Sequence, residues 1–273
     1  DFYKTFKNLQ NSFLKFLNKT PAIGKSFICI DDQELKKLVP KIYNKNFLTY
    51  GFSKTANFQI LKPIYRKDHS IFNLKISVPG SKNKTVKEIK LNLIGQYNIL
   101  NSVAAIALCS YIGVNLEIIK KSLKEFAGIQ RRMTKVLQHK KNDFFDDYAH
   151  HPTEIRSVLQ SLKKANPKRE IISVFQPHRY SRLGFLKKEF SYSFKDSSKL
   201  LLCPVYSAGE KVNKKYDDEK FAKLIGKNSK VQVILIKDQV ELNQFFKKNL
   251  VKDELIVGMG AGSITRWMRE INL

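Results

Sequence analysis

Apolar residues near the start of the chain recur at intervals of three and four, at Phe6, Leu9, Phe13, Leu14 and Leu17. That period predicts an amphipathic helix, capped by Thr5 and ended before Pro21. The short apolar run Ser26 to Ile30 reads as a strand, and Asp31 and Asp32 after it suit the N-cap of a helix through Leu38. Four β-rich stretches follow near 47–52, 57–61, 70–78 and 86–93, then two helices, Tyr97 to Ile112 and Leu116 to Phe126, joined at Gly113. The first half is therefore expected to be α+β, closing on a Gly- and Arg-containing hinge at Gly128 to Arg132.

From Thr134 the pattern changes. Continuous apolar runs (Phe144 to Tyr148, Glu170 to Phe175, Lys199 to Pro204, Val231 to Ile236, Glu254 to Val257) alternate with helical segments (Pro152 to Lys164, Leu186 to Phe194, Asp217 to Ile225, Gln239 to Phe246, Ala261 to Ile271). Strands that are apolar on both faces, separated by helices, predict a doubly wound parallel sheet. A ligand of such a sheet is expected beyond the carboxyl ends of its strands.

Composition narrows the class. The 273 residues suffice for two ordinary cores, and no run of eighteen apolar residues exists, which argues against a membrane span. Cys29, Cys109 and Cys203 are odd in number and far apart, so neither a disulfide framework nor a zinc site is expected, and a reducing cytoplasm fits best. The net charge of +26 would by itself suggest a polyanionic partner. Yet 41 of the 50 cations are Lys, scattered along the chain, and only 9 are Arg, whose rigid fork phosphate and base recognition favour. A general lysine bias is the better reading, and no nucleic acid is expected as partner.

Two glycine motifs fail on inspection. Gly24-Lys25-Ser26 imitates the end of a phosphate-binding loop, but the earlier glycine would fall on Lys19, and the segment runs from helix to strand rather than the reverse. Gly258-Met259-Gly260-Ala261-Gly262 follows a strand and opens a helix, yet the third fingerprint glycine would fall on Ser263. A tight turn is the expected role of the latter.

The chemistry gathers elsewhere. Asp146-Asp147-Tyr148-Ala149-His150-His151-Pro152-Thr153-Glu154 ends a strand with two acids and two histidines and begins a helix with Pro; the plainer alternative is that Asp147 and Thr153 only cap it. Phe175-Gln176-Pro177-His178-Arg179-Tyr180-Ser181-Arg182 places an imidazole and two guanidiniums at the next strand end, where they can converge on one carboxylate or phosphate. Arg131-Arg132 forms a second arginine pair, and Gly95-Gln96-Tyr97-Asn98-Ile99-Leu100-Asn101 sets two amides at a helix start.

Together with Asp1-Phe2-Tyr3, Phe6 to Leu9, Cys29-Ile30-Asp31-Asp32, Pro204 to Glu210 and Gly260-Ala261-Gly262, these strings resemble the Mur ligases over essentially the whole chain. The resemblance implies an α/β protein with part of a central ATPase domain at 1–131, followed by a Rossmann-like, doubly wound parallel-sheet domain at 132–273. By that template the chain begins midway through the central domain, so the UDP-binding domain, the phosphate-binding loop and most magnesium ligands would precede it. One departure is Tyr97, which stands where the family usually has His.

What the resemblance implies chemically is ATP- and Mg2+-dependent joining of L-alanine to UDP-N-acetylmuramate through an acyl phosphate, in peptidoglycan synthesis. Asn98 and Asn101 would then lie against the nucleotide, Arg132 on its phosphates, Asp147 on its ribose, and Tyr148 and His150 beside it. His178, Arg179 and Arg182 would hold the alanine carboxylate or the transferring phosphate, and no metal ligand is assigned to this chain. The rivals are a sister activity that attaches a preformed peptide to the same UDP-sugar, and a non-catalytic chain. The 273 residues alone are expected to lack ligase activity.

Overall fold

A computed structural model describes residues 2–213, 215–250 and 253–273. Asp1, quoted above among the motif residues, lies outside the described residues. The chain divides into two compact units, the first ending at Phe126 and the second beginning at Ala127.

The first unit carries α1 (Phe6–Asn18), β1 (Ser26–Cys29), α2 (Gln33–Leu38), β2 (Phe47–Gly51), β3 (Phe58–Tyr65), β4 (Ser70–Ile76), β5 (Lys84–Leu91), α3 (Gln96–Tyr111) and α4 (Leu116–Glu125). Its sheet runs in sequence order, with β1, β2 and β3 parallel and β3, β4 and β5 antiparallel. Thr5 caps α1 as expected, accepting from the Asn8 amide at 3.2 Å. Ile99, Val103 and Ile106 repeat at helical spacing along α3 and are buried against Phe58, Phe72 and Leu74 of the sheet.

The two aspartates after β1 divide their work. Asp32 caps α2, whereas Asp31 accepts from the amides of Phe52 (2.7 Å) and Ser53 (3.1 Å) beyond the end of β2. Gly51 is required there: its φ is +146°, and a Cβ would meet the Asp31 carboxylate at 2.7 Å. The Gly24 segment is a plain turn, closed by a Gly24 amide bond to the Pro21 carbonyl at 2.9 Å, with Ser26 paired to the Thr20 hydroxyl.

The second unit carries β6 (Thr134–His139), β7 (Asn142–Asp147), α5 (Pro152–Ala165), β8 (Glu170–Phe175), α6 (Tyr180–Ser191), β9 (Lys199–Leu202), α7 (Asp218–Ser229), β10 (Gln232–Leu235), α8 (Gln239–Asn249), β11 (Glu254–Met259) and α9 (Ile264–Arg269). Its strand order is β10-β9-β8-β11-β7-β6, parallel throughout except for the antiparallel edge strand β6. β11 is buried along its whole length and β8 along all but its first residue, which is why their sequences are continuously apolar. The register aligns Met259 with Asp147 on one side and Phe175 on the other, and Phe175 with Leu202, so four strands end at one level. No helix among the described residues is long and apolar enough to cross a membrane, and all three cysteines are free thiols.

Candidate active site at the carboxyl edge of the second sheet

β7 and β8 are not neighbours; β11 lies between them. The loops that follow them nevertheless meet above its end. The His150 and His178 rings stand 6.0 Å apart, the Tyr148 ring lies 4.9 Å from His150, and Tyr206 stacks on His178 at 5.6 Å and 14°. The Arg131 guanidinium closes the row, 4.4 Å from the centre of Tyr148, where the ring's negative face attracts it.

The β7–α5 loop is held by its own side chains. His151 is the N-cap of α5, its Nδ1 accepting from the Thr153 amide at 3.3 Å, and the Glu154 carboxylate reaches back to the amides of His150 (3.0 Å) and His151 (3.2 Å). Capping therefore falls to His151 rather than to Asp147 or Thr153. His150 Nδ1 donates to the Tyr148 carbonyl at 2.8 Å, which leaves Nε2 as the ring nitrogen available to a ligand.

Asp147, expected at the ribose, sits at the end of β7. It is fully buried, and its two carboxylate oxygens accept from the Met133 and Ala149 amides, each at 2.8 Å. Burial pushes this carboxyl up to about 6 despite those bonds. Its physical role is to pin the loop to the entry of β6. Asp146 is equally buried, accepting from the Thr265 hydroxyl at 3.1 Å with Arg269 at 3.7 Å, and burial raises its carboxyl too.

The β8–α6 loop presents the second cluster. Arg182 Nη1 donates to the His178 carbonyl at 3.0 Å and stands 3.3 Å from its Nδ1, which therefore accepts, so the ring proton sits on Nε2. Burial first, then Arg182, His150 and Arg179, lower the His178 imidazole below its ordinary range and favour the neutral ring. Arg179 is tied to Glu210, Nε to Oε1 at 3.4 Å.

Of the remaining expected residues, Arg132 is exposed at the start of the second unit, while its neighbour Arg131 is occupied with Tyr148 and with the Gly260 carbonyl at 2.7 Å. Asn98 and Asn101 belong to the first unit, three apart on α3: Asn98 is buried with its amide donating to the Ile94 carbonyl at 2.8 Å, and Asn101 is exposed. The glycine turn after β11 is structural. A Cβ at Gly262 would lie 2.5 Å from the Tyr206 ring, and the Ile264 amide that opens α9 is taken by Gln176 Oε1 at 3.0 Å. Tyr206, Glu210 and Gln176 were quoted in the motifs without roles; their contacts appear only once the strands are assembled.

Among the described residues no group of three or more His, Cys, Asp or Glu stands ready to hold a metal ion. With Asp146 and Asp147 buried and engaged, the carboxyl edge does not fit a resident magnesium.

Comparison with known proteins identifies the family. Residues 1–109 match the Mur ligase middle domain and residues 131–262 the Mur ligase glutamate ligase domain. The UDP-N-acetylmuramate--L-alanine ligase of Pelagibacter ubique is 50% identical over 271 residues, 99% of this chain and 58% of its own length. That of Brachyspira hyodysenteriae is 37% identical over 272 residues, 99% of this chain and 57% of its own. The chain thus spans a little over half the length of these curated relatives. Among solved structures, the UDP-N-acetylmuramate-alanine ligase of Thermotoga maritima shares the fold with a TM-score of 0.71 at 22% identity, over 98% of this chain and 54% of that one. MurF ligase of the same organism, solved with ADP, gives 0.71 at 16% identity, over 99% of this chain and 58% of that one. With both domain types matched and aligned relatives along its whole length, this chain is a member of the Mur ligase family.

Proposed function

We propose that this chain is the part of an ATP-dependent ligase that receives the incoming amino acid, in an enzyme joining L-alanine to UDP-N-acetylmuramate for peptidoglycan synthesis. The observation that carries the reading is the meeting of His150 with His178 and Arg182 across the end of β11. Two strand ends that the sheet separates are brought to one place by their loops, as ligand recognition at this edge requires. The identity of the relatives supports the choice of substrates.

In this reaction the lactyl carboxylate takes the γ-phosphoryl group of ATP, and the alanine amine attacks the resulting acyl phosphate. The tetrahedral adduct collapses with loss of phosphate. Magnesium would neutralise charge on the phosphates, and its ligands are not assigned to this chain. Arg182 holds the alanine carboxylate through the donors that His178 does not engage; Arg179 lends its charge alongside. Neutral His178 avoids a third cation beside the two guanidiniums. Tyr148 and His150 lie beside the nucleotide, with Arg132 toward its phosphates; Asn98 and Asn101 keep the nucleotide contact that the family resemblance gives them. Orientation of the amine and exclusion of water from a hydrolysable acyl phosphate are the main catalytic effects asked of the protein.

The test is kinetic, in the product of the whole reading frame that encodes this chain. Arg182→Ala should raise the KM for L-alanine about 10- to 100-fold, the worth of a charge-assisted hydrogen bond; an unchanged KM would remove the assignment. Supplying a preformed peptide instead of L-alanine separates the sister activity. Absence of turnover with either acceptor would favour a non-catalytic chain.

A further inference from the structure

The first part of the β9–α7 connection, residues 203–210, crosses the carboxyl edge and is tied to the β8–α6 loop. The Cys203 amide bonds the Phe175 carbonyl at 2.9 Å, the Tyr206 amide bonds the Pro177 carbonyl at 2.9 Å, and His178 and Tyr206 form an isolated parallel bridge. Strand pairing thus continues past the ends of β8 and β9. A tight turn follows, with the Glu210 amide on the Ser207 carbonyl at 3.1 Å and left-handed backbone at Ala208 (φ +50°) and Gly209 (φ +84°). This turn brings the Glu210 carboxylate onto the first turn of α6.

There Glu210 does two things. Its Oε2 accepts from the Ser181 amide at 3.0 Å and its Oε1 from the Ser181 hydroxyl at 2.5 Å, capping a helix whose own N-cap residue, Arg179, offers no side-chain bond. It also pairs with Arg179. The Ser181 hydroxyl, then its amide and Arg179, hold the Glu210 carboxyl below the usual range, so it is ionised at neutral pH. Arg182 lies one residue beyond Ser181, and among the described residues only its Nη1 has a bonded partner.

We propose that Glu210 is a positioning and specificity residue: by capping α6 and pairing with Arg179 it offsets one of the two guanidinium charges there, so that the site beside Arg182 is matched to a singly charged carboxylate rather than to a doubly charged phosphate. Without it, two guanidiniums, a neutral imidazole and an uncapped helix start would face the same space, an arrangement that favours dianions. The choice of a carboxylate as ligand rests on the function proposed above; the anion preference does not, because it can be read without turnover.

The experiment uses the full-length protein and its Glu210→Gln and Glu210→Ala variants, with inorganic sulfate and L-alanine as probes. Glu210→Gln keeps an oxygen for Ser181 while removing the charge, and serves if Glu210→Ala fails to fold. Sulfate binding, read by calorimetry, should tighten about 2- to 5-fold in Glu210→Gln, the scale of one partly exposed charge interaction. The KM for L-alanine should rise with the KM for ATP unchanged, and Glu210→Asp should restore part of the difference. Sulfate affinity that is unchanged or weaker in Glu210→Gln overturns the proposal, as does a uniform rise in every KM. If the wild-type protein does not use L-alanine, the functional reading fails alone, and the sulfate comparison still decides the role of Glu210.

Discussion

The two edges of the second sheet handle buried charge in opposite ways. At the amino edge, Arg169 is nearly buried and fully committed: it meets Asp143 at 2.5 Å, Asp253 at 2.6 Å, and the carbonyls of Lys141 and Glu254 at 2.8 and 2.9 Å. Lys135 adds a second cation to Asp143 at 2.6 Å. That cluster fastens the starts of β7, β8 and β11 and leaves little for a ligand to bind. At the carboxyl edge, Arg182 uses one nitrogen on His178 and is half-buried. The same residue type is a clamp in one place and, on the function proposed above, a receptor in the other, and the number of acceptors supplied by the fold decides which.

The contrast can be broken first at the clamp. Arg169→Ala should destabilise the second unit by about 3 kcal/mol, because two carbonyls lose their donor and buried Asp143 keeps only Lys135 of its two cations; chemical denaturation measures this. Arg182→Ala should change stability by no more than about 0.5 kcal/mol, since the site tolerates an unfilled fork. If the two losses were equal, the distinction between clamp and receptor would collapse. Gly262→Ala should cost about 1–3 kcal/mol, because the new methyl group must displace the Tyr206 ring. It should also weaken amino-acid binding by disturbing the stack on His178, in contrast to an amino-edge change of similar cost.

The smallest effect is the pH profile. His178 and His151 are both lowered, chiefly by burial, so they stabilise the folded state above pH 6.5 and that contribution is lost as acid protonates them below it. Asp143 is pushed up by burial but held lower overall by Lys135 and Arg169, so its contribution persists down to pH 3.8 and fails only as pH falls through its lower folded value. Asp147 acts in reverse: with its carboxyl raised to about 6, its contribution is present in acid and lost as pH rises through that value. Urea unfolding from pH 3 to 8 should therefore show His178→Gln altering the profile below pH 6.5 and Lys135→Ala altering it near and below pH 4.

Much of this was legible in the sequence, and the exceptions have physical causes. The continuous apolar strands announced the second sheet, and Thr5, Asp32 and Gly113 marked helix boundaries by local chemistry. β6 was missed because an edge strand with Val136 and Leu137 among polar residues has too little buried face to set a pattern. α6 was expected from Leu186, yet it begins at Tyr180 and passes through a non-helical Leu186 (φ −117°, ψ 19°). Its cap, Glu210, lies 29 residues away in sequence, so no neighbour could signal it. α9 is shorter than expected because Gly260 and Gly262 are needed for close approach to Gln176 and Tyr206. The amides that Asp147 accepts from were not legible either, because one of them, Met133, lies 14 residues away in sequence.

The direction of β6 has a consequence for how the polypeptide is threaded. Because this strand opposes its neighbour, Thr134 pairs with Asp146 at the far end of β7, and the Arg131 carbonyl accepts from the Tyr148 amide at 2.8 Å. The backbone arriving from residue 127 is thereby delivered beside Tyr148. A parallel first strand would have brought it in next to Arg169, and a tug on that incoming stretch would then have been felt by the clamp instead of by the aromatic row.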